Sequence, residues 1–404
     1  MWPGGEVVLT AADGQVARGT APFTATLPQG PVTVDVLRPG WRPHHEVLSL
    51  TAPTQHELWL EHEGQLLDRE RIIQTCNQPK QVVFSPDGAE LWVTCLAEPH
   101  FVAVHDARTG ALLAQPGLTP TAAVEAVFRA DGSRVYISSM ESKLVTEVDP
   151  HTRAVTRTFE RTGLWPKIVE LSPDERHLYV AAWLADEITE YDLDSGALTR
   201  RLKTVHIPRG VYPTRDGERL YVAGFGNGQL DRVDLKSGQH RVLFSGGSNL
   251  RDIAADEAHG VLYISDMGKR AIWVHHLATG QTTLLARTDQ NPNTIALSPD
   301  GQVLFVSCRG KNAPSGYLAS AAEYGSILVL DTQDGAVLDA IVGGDQPTGL
   351  ALSPDGTLLV SSDLRDHDLH VFRVPSTAAL RAGGGGRRDT YSLRREDDGT
   401  RHTP

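Results

Sequence analysis

Cysteine is scarce in this sequence, and the motifs in which it usually holds a metal or a redox group are missing. The 404 residues include three cysteines, too few for a disulfide scaffold, at Cys76, Cys95 and Cys308. Cys-x-x-Cys, Cys-x-x-Cys-His and His-Glu-x-x-His do not occur. The sixteen histidines form only two adjacent pairs, whose side chains would face opposite sides of a strand. We therefore predict no cofactor and no metal site.

Long apolar runs and an excess of positive charge are also absent. No stretch approaches the roughly 18 apolar residues of a membrane helix, so no transmembrane segment is expected. Residues 1–6 have neither the basic nor the apolar part of a signal peptide, which predicts a cytoplasmic protein for the sequence as written. The 50 acidic and 38 basic residues give a net charge of −12. That balance argues against nucleic acid or an anionic membrane as a partner.

An internal repeat is the main positive feature. Each unit contains a Ser-Pro-Asp-Gly type turn followed by an aromatic or apolar anchor, as in residues 85–88 and Trp92. Proline and glycine favour the turn, and the flanking β-branched and aromatic residues favour strands. The anchors are 42 to 44 residues apart, with 55 before the last one: Trp92, Tyr136, Tyr179, Tyr221, Tyr263, Phe305 and Val360.

The repeat predicts an all-β fold, a seven-bladed β-propeller of four-stranded antiparallel blades over residues 65–375. A β-solenoid is the alternative, although its coils are usually shorter. The seventh unit ends after only three strands, near residue 375. Residues 65–75 resemble a fourth strand, so we expect them to close the last blade and leave no open edge.

The repeats resemble the YVTN-repeat β-propeller family at residues 91–94 (Leu-Trp-Val-Thr), 178–181 and 220–223 (both Leu-Tyr-Val-Ala). This resemblance implies the propeller fold. It also implies relatives at the bacterial cell surface or in the periplasm, and relatives described as lactonases. A location in the cell envelope would conflict with the absence of an export signal at residues 1–6.

The two ends of the chain differ from the repeats. Residues 1–62 predict a small antiparallel β-sandwich, with strands at 6–10, 23–27, 32–37, 45–50 and 56–60. This segment resembles the PEGA domain at residues 19–22 (Gly-Thr-Ala-Pro), 27–30 (Leu-Pro-Gln-Gly) and 40–41 (Gly-Trp), which implies a module associated with the cell surface. Residues 380–404 combine a run of four glycines with mixed charges and few apolar residues, so we predict a disordered tail.

The repeat also aligns residues around the mouth of the central channel. Twelve positions before each anchor, at the entry to the first strand, four of seven residues are cationic: Lys80, Val124, Lys167, Arg209, Arg251, Asn293 and Thr348. Four positions after each anchor, in the loop between the second and third strands, most residues are large and apolar: Leu96, Met140, Trp183, Phe225, Met267, Arg309 and Leu364. Carboxylates are expected at the same level: Glu125, Asp252, Asp266 and Asp363.

Two interpretations of these rows remain open. Cations inside an apolar rim are typical of a pocket for an anion with an apolar body. Alternatively, the cations form ion pairs with the carboxylates, and the Met and Trp side chains plug the channel. The long gap before the last anchor adds a loop at the same mouth, carrying Arg309, Lys311, Tyr317 and Tyr324, which is either a binding element or a plain insertion.

The sequence thus supports two functions. The first is a non-catalytic, monomeric binding propeller that takes a small anionic ligand or a protein segment at its mouth. The second is a lactonase-like hydrolase on the same face, with Glu125 or His206 as a base beside Arg209. Cys76 and Cys95 both lie at the top of the first blade, where they form either a disulfide or buried thiols.

Overall fold

A computed structural model describes residues 4–56, 58–118 and 122–383. Within them the chain is almost entirely β-structure, arranged as eight four-stranded antiparallel sheets and one short helix. The all-β prediction is confirmed, and the antiparallel four-stranded sheets exclude a solenoid. No helix in these ranges is long and apolar enough to cross a membrane.

The first sheet stands apart from the repeats. It has the order β2-β1-β3-β4 and contains the strands β1 (Glu6–Ala11), β2 (Val16–Thr20), β3 (Gly30–Leu37) and β4 (His44–Leu50). Val32, Val34 and Val36 alternate along β3 and are buried against Leu58 and Leu60. This alternation is what a sheet with one covered face requires.

The expected β-sandwich is a single sheet with an irregular cover. Residues 23–27 and the described part of residues 56–60 were predicted as strands but are not strands in the structure. Val16–Thr20 is a strand that the prediction lacked. Prolines at 22 and 28 remove backbone donors on both sides of 23–27. Phe23 instead packs over Gly19, where a Cβ atom would lie 2.0 Å from the ring.

Seven sheets follow, and the first six are each built from consecutive strands. The first three are β6 (Pro79–Phe84), β7 (Glu90–Cys95), β8 (Val102–Asp106) and β9 (Leu112–Ala114); β10 (Ala123–Phe128), β11 (Val135–Ser139), β12 (Leu144–Val148) and β13 (Val155–Phe159); and β14 (Pro166–Leu171), β15 (His177–Ala182), β16 (Glu187–Asp192) and β17 (Leu198–Lys203).

The next three sheets have the same order. They are β18 (Pro208–Pro213), β19 (Arg219–Gly224), β20 (Leu230–Asp234) and β21 (His240–Phe244); β22 (Leu250–Asp256), β23 (Val261–Asp266), β24 (Ala271–His276) and β25 (Thr282–Arg287); and β26 (Pro292–Leu297), β27 (Val303–Cys308), β28 (Ser326–Asp331) and β29 (Val337–Val342).

The last sheet combines the two ends of the repeat region. It contains β30 (Pro347–Leu352), β31 (Leu358–Asp363) and β32 (Asp368–Arg373), and its outer strand is β5 (Asp68–Gln74). The first strands of these seven sheets contact one another in a closed cycle, from β6 through β10, β14, β18, β22 and β26 to β30 and back to β6. The seven sheets therefore surround a common axis.

The hydrophobic core lies between neighbouring sheets. The anchors Trp92, Tyr136 and Phe305 are each no more than 1% exposed. Trp92 packs with residues of both the first and the second ring sheet, including Val104 and Val135. Burial of both faces of each sheet supplies the main stabilisation, because each large buried side chain contributes about 1.5–3 kcal/mol.

The repeated turn has a definite local cause. The Ser85 hydroxyl donates to Asp87 Oδ1 at 2.6 Å and accepts the backbone N–H of Glu90 at 2.9 Å. Gly88 has a φ of 73°, a left-handed conformation that glycine adopts without steric cost. The same Ser/Thr–Asp pair recurs in the third, fourth, sixth and seventh ring sheets, on the face opposite the channel mouth.

The predicted disordered tail begins with ordered residues. Helix α1 (Thr377–Ala382) buries Leu380 to 1% exposure among core residues of the last two sheets. Arg381 donates to Asp331 at 2.7 Å. The burial of Leu380 helps to hold this turn of helix. An average composition over 25 residues does not reveal the contribution of one such residue. Residues 384–404 lie outside the described residues.

Cys76 and Cys95 form a disulfide, with their Cα atoms 6.0 Å apart. Cys76 follows the closing strand β5, and Cys95 ends β7 of the first ring sheet. The bond therefore joins the last sheet to the first. Cys308 is buried in β27 and is not part of a disulfide.

Candidate functional site

The first strand of every ring sheet is irregular at the same point. The pairing with the second strand shifts around the second residue, as between Pro166 and Ile168 in β14, so that Lys167 is an extra residue. Equivalent shifts occur in the other six sheets. A β-bulge re-aims its unpaired side chain. The cationic row of the sequence occupies these bulges.

The two predicted rows are joined by a backbone hydrogen bond in every ring sheet. The N–H of each rim residue donates to the carbonyl oxygen two residues before the bulge, for example Trp183 to Trp165 at 3.0 Å. The same bond joins Leu96 to Gln78, Met140 to Ala122, Phe225 to Ile207, Met267 to Asn249, Arg309 to Asn291 and Leu364 to Gln346. Both rows therefore lie on one face of the ring.

Hydroxyl groups of neighbouring sheets fix the bulges in position. Ser138 Oγ donates to the carbonyl of Lys167 at 2.9 Å, and Ser265 Oγ donates to the carbonyl of Asn293 at 2.7 Å. Thr94 holds Val124 in the same way at 2.9 Å. Because these bonds cross between sheets, side chains at the mouth project from a rigid frame.

Five cations lie close enough around the axis to perturb one another. Lys167, Arg209 and Arg251 are 8%, 4% and 6% exposed. Burial lowers the pKa of Lys167 to about 5, with Arg209 and Arg251 contributing. Burial also lowers the pKa of Arg209 to about 9 and that of Arg309 to about 10. The pKa of Lys80 lies well below its ordinary value, because of burial and the four other cations.

The expected ion pairs with the channel carboxylates do not form. Across the described ranges, none of the five cations lies within 4.0 Å of a carboxylate oxygen. Asp252 instead accepts the backbone N–H groups of Ile253 and Ile295, both at 3.0 Å. Glu125 accepts a hydrogen bond from the Gln81 amide. Burial raises the pKa of Asp252 and raises that of Glu125 to about 7.

Asp266 is not a site residue, contrary to the prediction. Its carboxylate accepts backbone N–H groups from Ser248, Asn249 and Lys269 at 3.0–3.1 Å and the Trp273 indole N–H at 3.1 Å. It therefore fixes the loops of the fifth ring sheet. The repeat predicted how far along the propeller axis Asp266 lies, but not the direction in which its side chain points.

An aromatic cluster covers Lys167. The Lys167 Nζ atom lies 3.4 Å from the ring centroid of Trp183 and 5.5 Å from that of Trp165. The two indoles are stacked, with centroids 5.7 Å apart, and Phe225 lies 6.0 Å from Trp183. In its protonated form the Lys167 amine would make an attractive cation–π contact with Trp183. This side of the mouth is therefore aromatic.

Four buried donors at the mouth have no acceptor in the described structure. They are the Trp183 indole N–H, one terminal nitrogen of Arg209, the Asn293 amide nitrogen and Nε of Arg309. A buried donor without a partner costs about 1–3 kcal/mol, and more when it is charged. All four belong to the two rows that the sequence predicted.

The inserted loop between β27 and β28 reaches the same mouth. Arg309 lies over the ring of Tyr317, 5.5 Å from its centroid, and Tyr317 is close enough to Arg209 to affect the pKa of that residue. Lys311 is exposed in this loop. Tyr324 leaves the mouth and packs against Trp59 of the N-terminal segment at 5.2 Å. The loop thus joins the mouth to the N-terminal module.

The remaining predicted residues have smaller roles in the geometry. Met267 is 8% exposed and Met140 is half-buried, and both are placed by the rim hydrogen bond. His206, the candidate base, pairs with Asp186 at 2.9 Å and is largely exposed. Glu125 acts on the pKa of Arg209, whereas His206 is engaged with Asp186.

Sequence reasoning missed Trp165, Glu170 and Gln81. Burial raises the pKa of Glu170 to about 8, and Glu125 and Asp252 contribute. Glu170 occupies a first-strand position where five other repeats carry Val or Ala, which was a usable signal. Gln81 of the first ring sheet donates to Glu125 and accepts the backbone N–H of Ala126, both in the second ring sheet. Its role becomes visible only from this contact between the two sheets.

The ring of sheets identifies the fold as a β-propeller, and comparison with solved structures supports this. Hydrazine synthase of Kuenenia stuttgartiensis superimposes with a TM-score of 0.64 at 21% identity, covering 75% of this chain and 97% of that chain. At this identity the likeness shows the fold alone.

One curated protein is similar in sequence. Antigen Lp49 of Leptospira interrogans serogroup Icterohaemorrhagiae serovar copenhageni (strain Fiocruz L1-130) is 33% identical over 258 residues, which is 62% of this chain and 57% of that protein. The chain thus spans little more than half the length of this relative. No family model matches the chain, and the resemblances to the YVTN and PEGA families stay predictions.

Proposed function

We propose that the chain is a seven-bladed β-propeller of the YVTN-repeat type whose channel mouth binds a small anionic ligand without catalysing its conversion. The N-terminal sheet would be a PEGA-like module attached to it. The observation that carries the proposal is the set of four buried donors without acceptors, on Trp183, Arg209, Asn293 and Arg309. These four donors call for a ligand with acceptor oxygens.

The electrostatics support the same ligand class. Buried cations that no carboxylate contacts cost several kcal/mol, because each loses its hydration. The channel carboxylates Glu125 and Asp252 act on Arg209 and Arg251 only from beyond ion-pair distance. The structure offsets this cost partly by lowering the pKa of Lys167, so that this amine is neutral at pH 7. A carboxylate or phosphate among the five cations would supply the missing charge. Charge-assisted hydrogen bonds to arginine are the strong ones.

The aromatic cluster argues for a ligand with an apolar part. Trp165, Trp183 and Phe225 form one continuous face beside the cations. An aromatic or alkyl group next to the acid group would stack there and exclude water. We therefore favour a small organic acid over a bare inorganic anion, and we treat an acidic peptide segment as an alternative outcome of the test.

Replacement of Arg209 by alanine should weaken this binding strongly. We expect benzoate or phenyl phosphate to raise the melting temperature of the wild type more than acetate or inorganic phosphate do. Loss of a charged hydrogen bond of about 1.5–3 kcal/mol corresponds to roughly a 10- to 100-fold weaker Kd in Arg209→Ala. Isothermal titration of each probe measures the Kd. Arg241→Ala, on the exposed outer strand of the same sheet, is the matched control.

The ligand-free stability separates binding from a structural role. Arg209 has no ion pair among the described residues, so Arg209→Ala should melt at or above the wild-type temperature. A lower melting temperature with unchanged probe binding would refute the proposed site. Release of hydroxy acid from a γ-butyrolactone probe would favour the hydrolase, and binding of an acidic peptide alone would replace the small ligand.

We further propose that the protein works in the cell envelope. The Cys76–Cys95 disulfide supports this, because disulfides persist in oxidising compartments and are rare in the cytosol. The similar Lp49 is described as an antigen, which fits an exposed location for that protein. Both points oppose the cytoplasmic location expected from residues 1–6.

A further inference from the structure

A second polar cluster lies in the last ring sheet, away from the cations of the mouth. Asp363 ends β31, and Asp368 and His370 lie two residues apart on β32, where strand alternation places them on the same face. Their exposures are 0%, 4% and 0%. Two carboxylates and an imidazole are thus withdrawn from water together, and both carboxylates lie close enough to the buried Arg69 guanidinium to counteract the lowering of its pKa by burial.

The histidine in this cluster makes no hydrogen bond. Both ring nitrogens of His370 are buried, and neither has a hydrogen-bond partner in the residues described. Its Nε2 lies 3.6 Å from Asp368 Oδ1, and its Nδ1 lies 3.9 Å from Asp363 Oδ2. An imidazole this close to two carboxylates would be expected to hydrogen-bond one of them. The two separations involve different ring nitrogens, so a single ion would take one of them together with one oxygen from each carboxylate.

The three groups are close enough to share one metal ion. One ligand atom from each residue lies within 4.8 Å of the other two. In a tetrahedral site with bonds of about 2.1 Å, neighbouring ligand atoms are about 3.4 Å apart. A small contraction would therefore bring the three groups to bonding distance. The Asp363 carboxylate accepts long bonds from Gly344 N–H at 3.2 Å and Ser361 at 3.3 Å, which leave lone pairs for a metal.

The other ring sheets provide an internal comparison. In the fifth sheet, Asp266 and Trp273 occupy the positions of Asp363 and His370, and the indole N–H donates to the carboxylate at 3.1 Å. Ala271 stands where the last sheet has Asp368. A neutral donor thus satisfies the carboxylate there. In the last sheet, His370 stands in place of that donor and Asp368 adds a second carboxylate. None of the other five ring sheets has this combination at the equivalent positions.

The surroundings offer a route of entry. The ring of Trp59 lies 5.1 Å from that of His370, and Arg69 stacks over Trp59 at 5.2 Å. Both residues line a cavity of about 440 Å³ between the N-terminal segment and β5. Arg69 itself donates to the carbonyl of Val342 at 3.3 Å. Trp59 and Arg69 therefore form the thin wall between the cavity and the cluster.

We propose that Asp363, Asp368 and His370 bind one divalent transition-metal ion of the Zn²⁺ class. Two carboxylate oxygens and an imidazole nitrogen suit Zn²⁺ and its neighbours Mn²⁺ and Co²⁺ rather than Ca²⁺, which takes six to eight oxygen ligands. The ion would connect β31 and β32 and stabilise the sheet that β5 closes. The site is separate from the anion site and does not depend on it.

Cobalt binding to the chelator-treated, full-length protein tests the site. We expect one Co²⁺ per chain, with visible ligand-field absorption and a raised melting temperature, and competition by Zn²⁺. Asp368→Asn and His370→Gln should lose the absorption and the thermal shift. His259→Gln should keep both, because it removes a histidine that pairs with Asp256 at 2.7 Å but is itself exposed.

Anomalous diffraction from wild-type crystals soaked in Zn²⁺ avoids any dependence on how the variants fold. A peak between the three side chains supports the proposal. Either a wild-type map without a peak there, or an absorption spectrum that His370→Gln leaves unchanged, would overturn it. Peaks confined to exposed histidines would show surface binding only and would equally overturn it.

Discussion

Loss of the Cys76–Cys95 disulfide should lower the free energy of unfolding by about 3 kcal/mol. The bond closes a loop of 19 residues, and loops of this length give roughly that stabilisation in the chain-entropy model. Its position strengthens the expectation. The loop runs from the end of the closing strand β5 to the end of β7, so the disulfide holds the last sheet against the first, where the ring would otherwise open.

Chemical denaturation with and without dithiothreitol measures this effect. The reductant should lower the denaturation midpoint of the wild type and leave that of a Cys76→Ser/Cys95→Ser variant unchanged. Cys308→Ser is the control, because that cysteine is buried but outside the disulfide. It should respond to reductant as the wild type does. Equal midpoints for reduced and oxidised wild type would show that the closing strand holds without the bond.

The repeat made the architecture readable from the sequence. Each anchor lies on the second strand of its ring sheet, because turn chemistry and β-branched runs are local signals that recur seven times. The N-terminal sheet had no such repetition. A Phe-Thr-Ala-Thr-Leu alternation at 23–27 satisfies a strand pattern, yet those residues cover the sheet beside them. Alternation fixes which residues are buried, but not whether the segment finds a hydrogen-bonding neighbour.

The site was predictable only in part for a related reason. Lys167, Arg209 and Arg251 are at the same distance in sequence from their anchors, which predicted that they form one row. Equivalent positions of a repeat lie at the same height along the propeller axis. It did not give side-chain direction, so Asp266 was assigned to the mouth although it bonds its own loops. The cluster at His370 shows the same limit. Asp368 and His370 have the two-residue spacing of one strand face, but their third partner comes from the neighbouring strand β31.

Anion binding at the mouth should weaken steeply as the pH rises. In the ligand-free protein the pKa of Lys167 is about 5, so its amine is neutral at pH 7. A bound anion stabilises the ammonium form and raises that pKa, and binding therefore takes up a proton at any pH between the two values. Between those two pKa values the affinity falls about tenfold for each pH unit.

The channel carboxylates act in the same direction. Burial raises the pKa of Glu125 to about 7 and that of Glu170 to about 8, so both lose protons over the same interval. Ionised Glu125 then places a negative charge near Arg209 and Arg251, and ionised Glu170 adds a second one near Glu125. The combined loss of affinity should therefore exceed that from Lys167 alone, and the number of protons taken up should exceed one near pH 7.

Isothermal titration of benzoate in buffers of different ionisation enthalpy measures both the affinity and the protons taken up. In Lys167→Met the uptake should fall by about one proton and the pH dependence should flatten accordingly. Lys203→Met, on the exposed outer strand of the same sheet, removes the same charge at a distance and should keep the wild-type profile. A Kd that stays constant from pH 6 to pH 8 would mean that the anion meets no neutral amine at the mouth. In that case the cations would already be charged and compensated in the ligand-free protein.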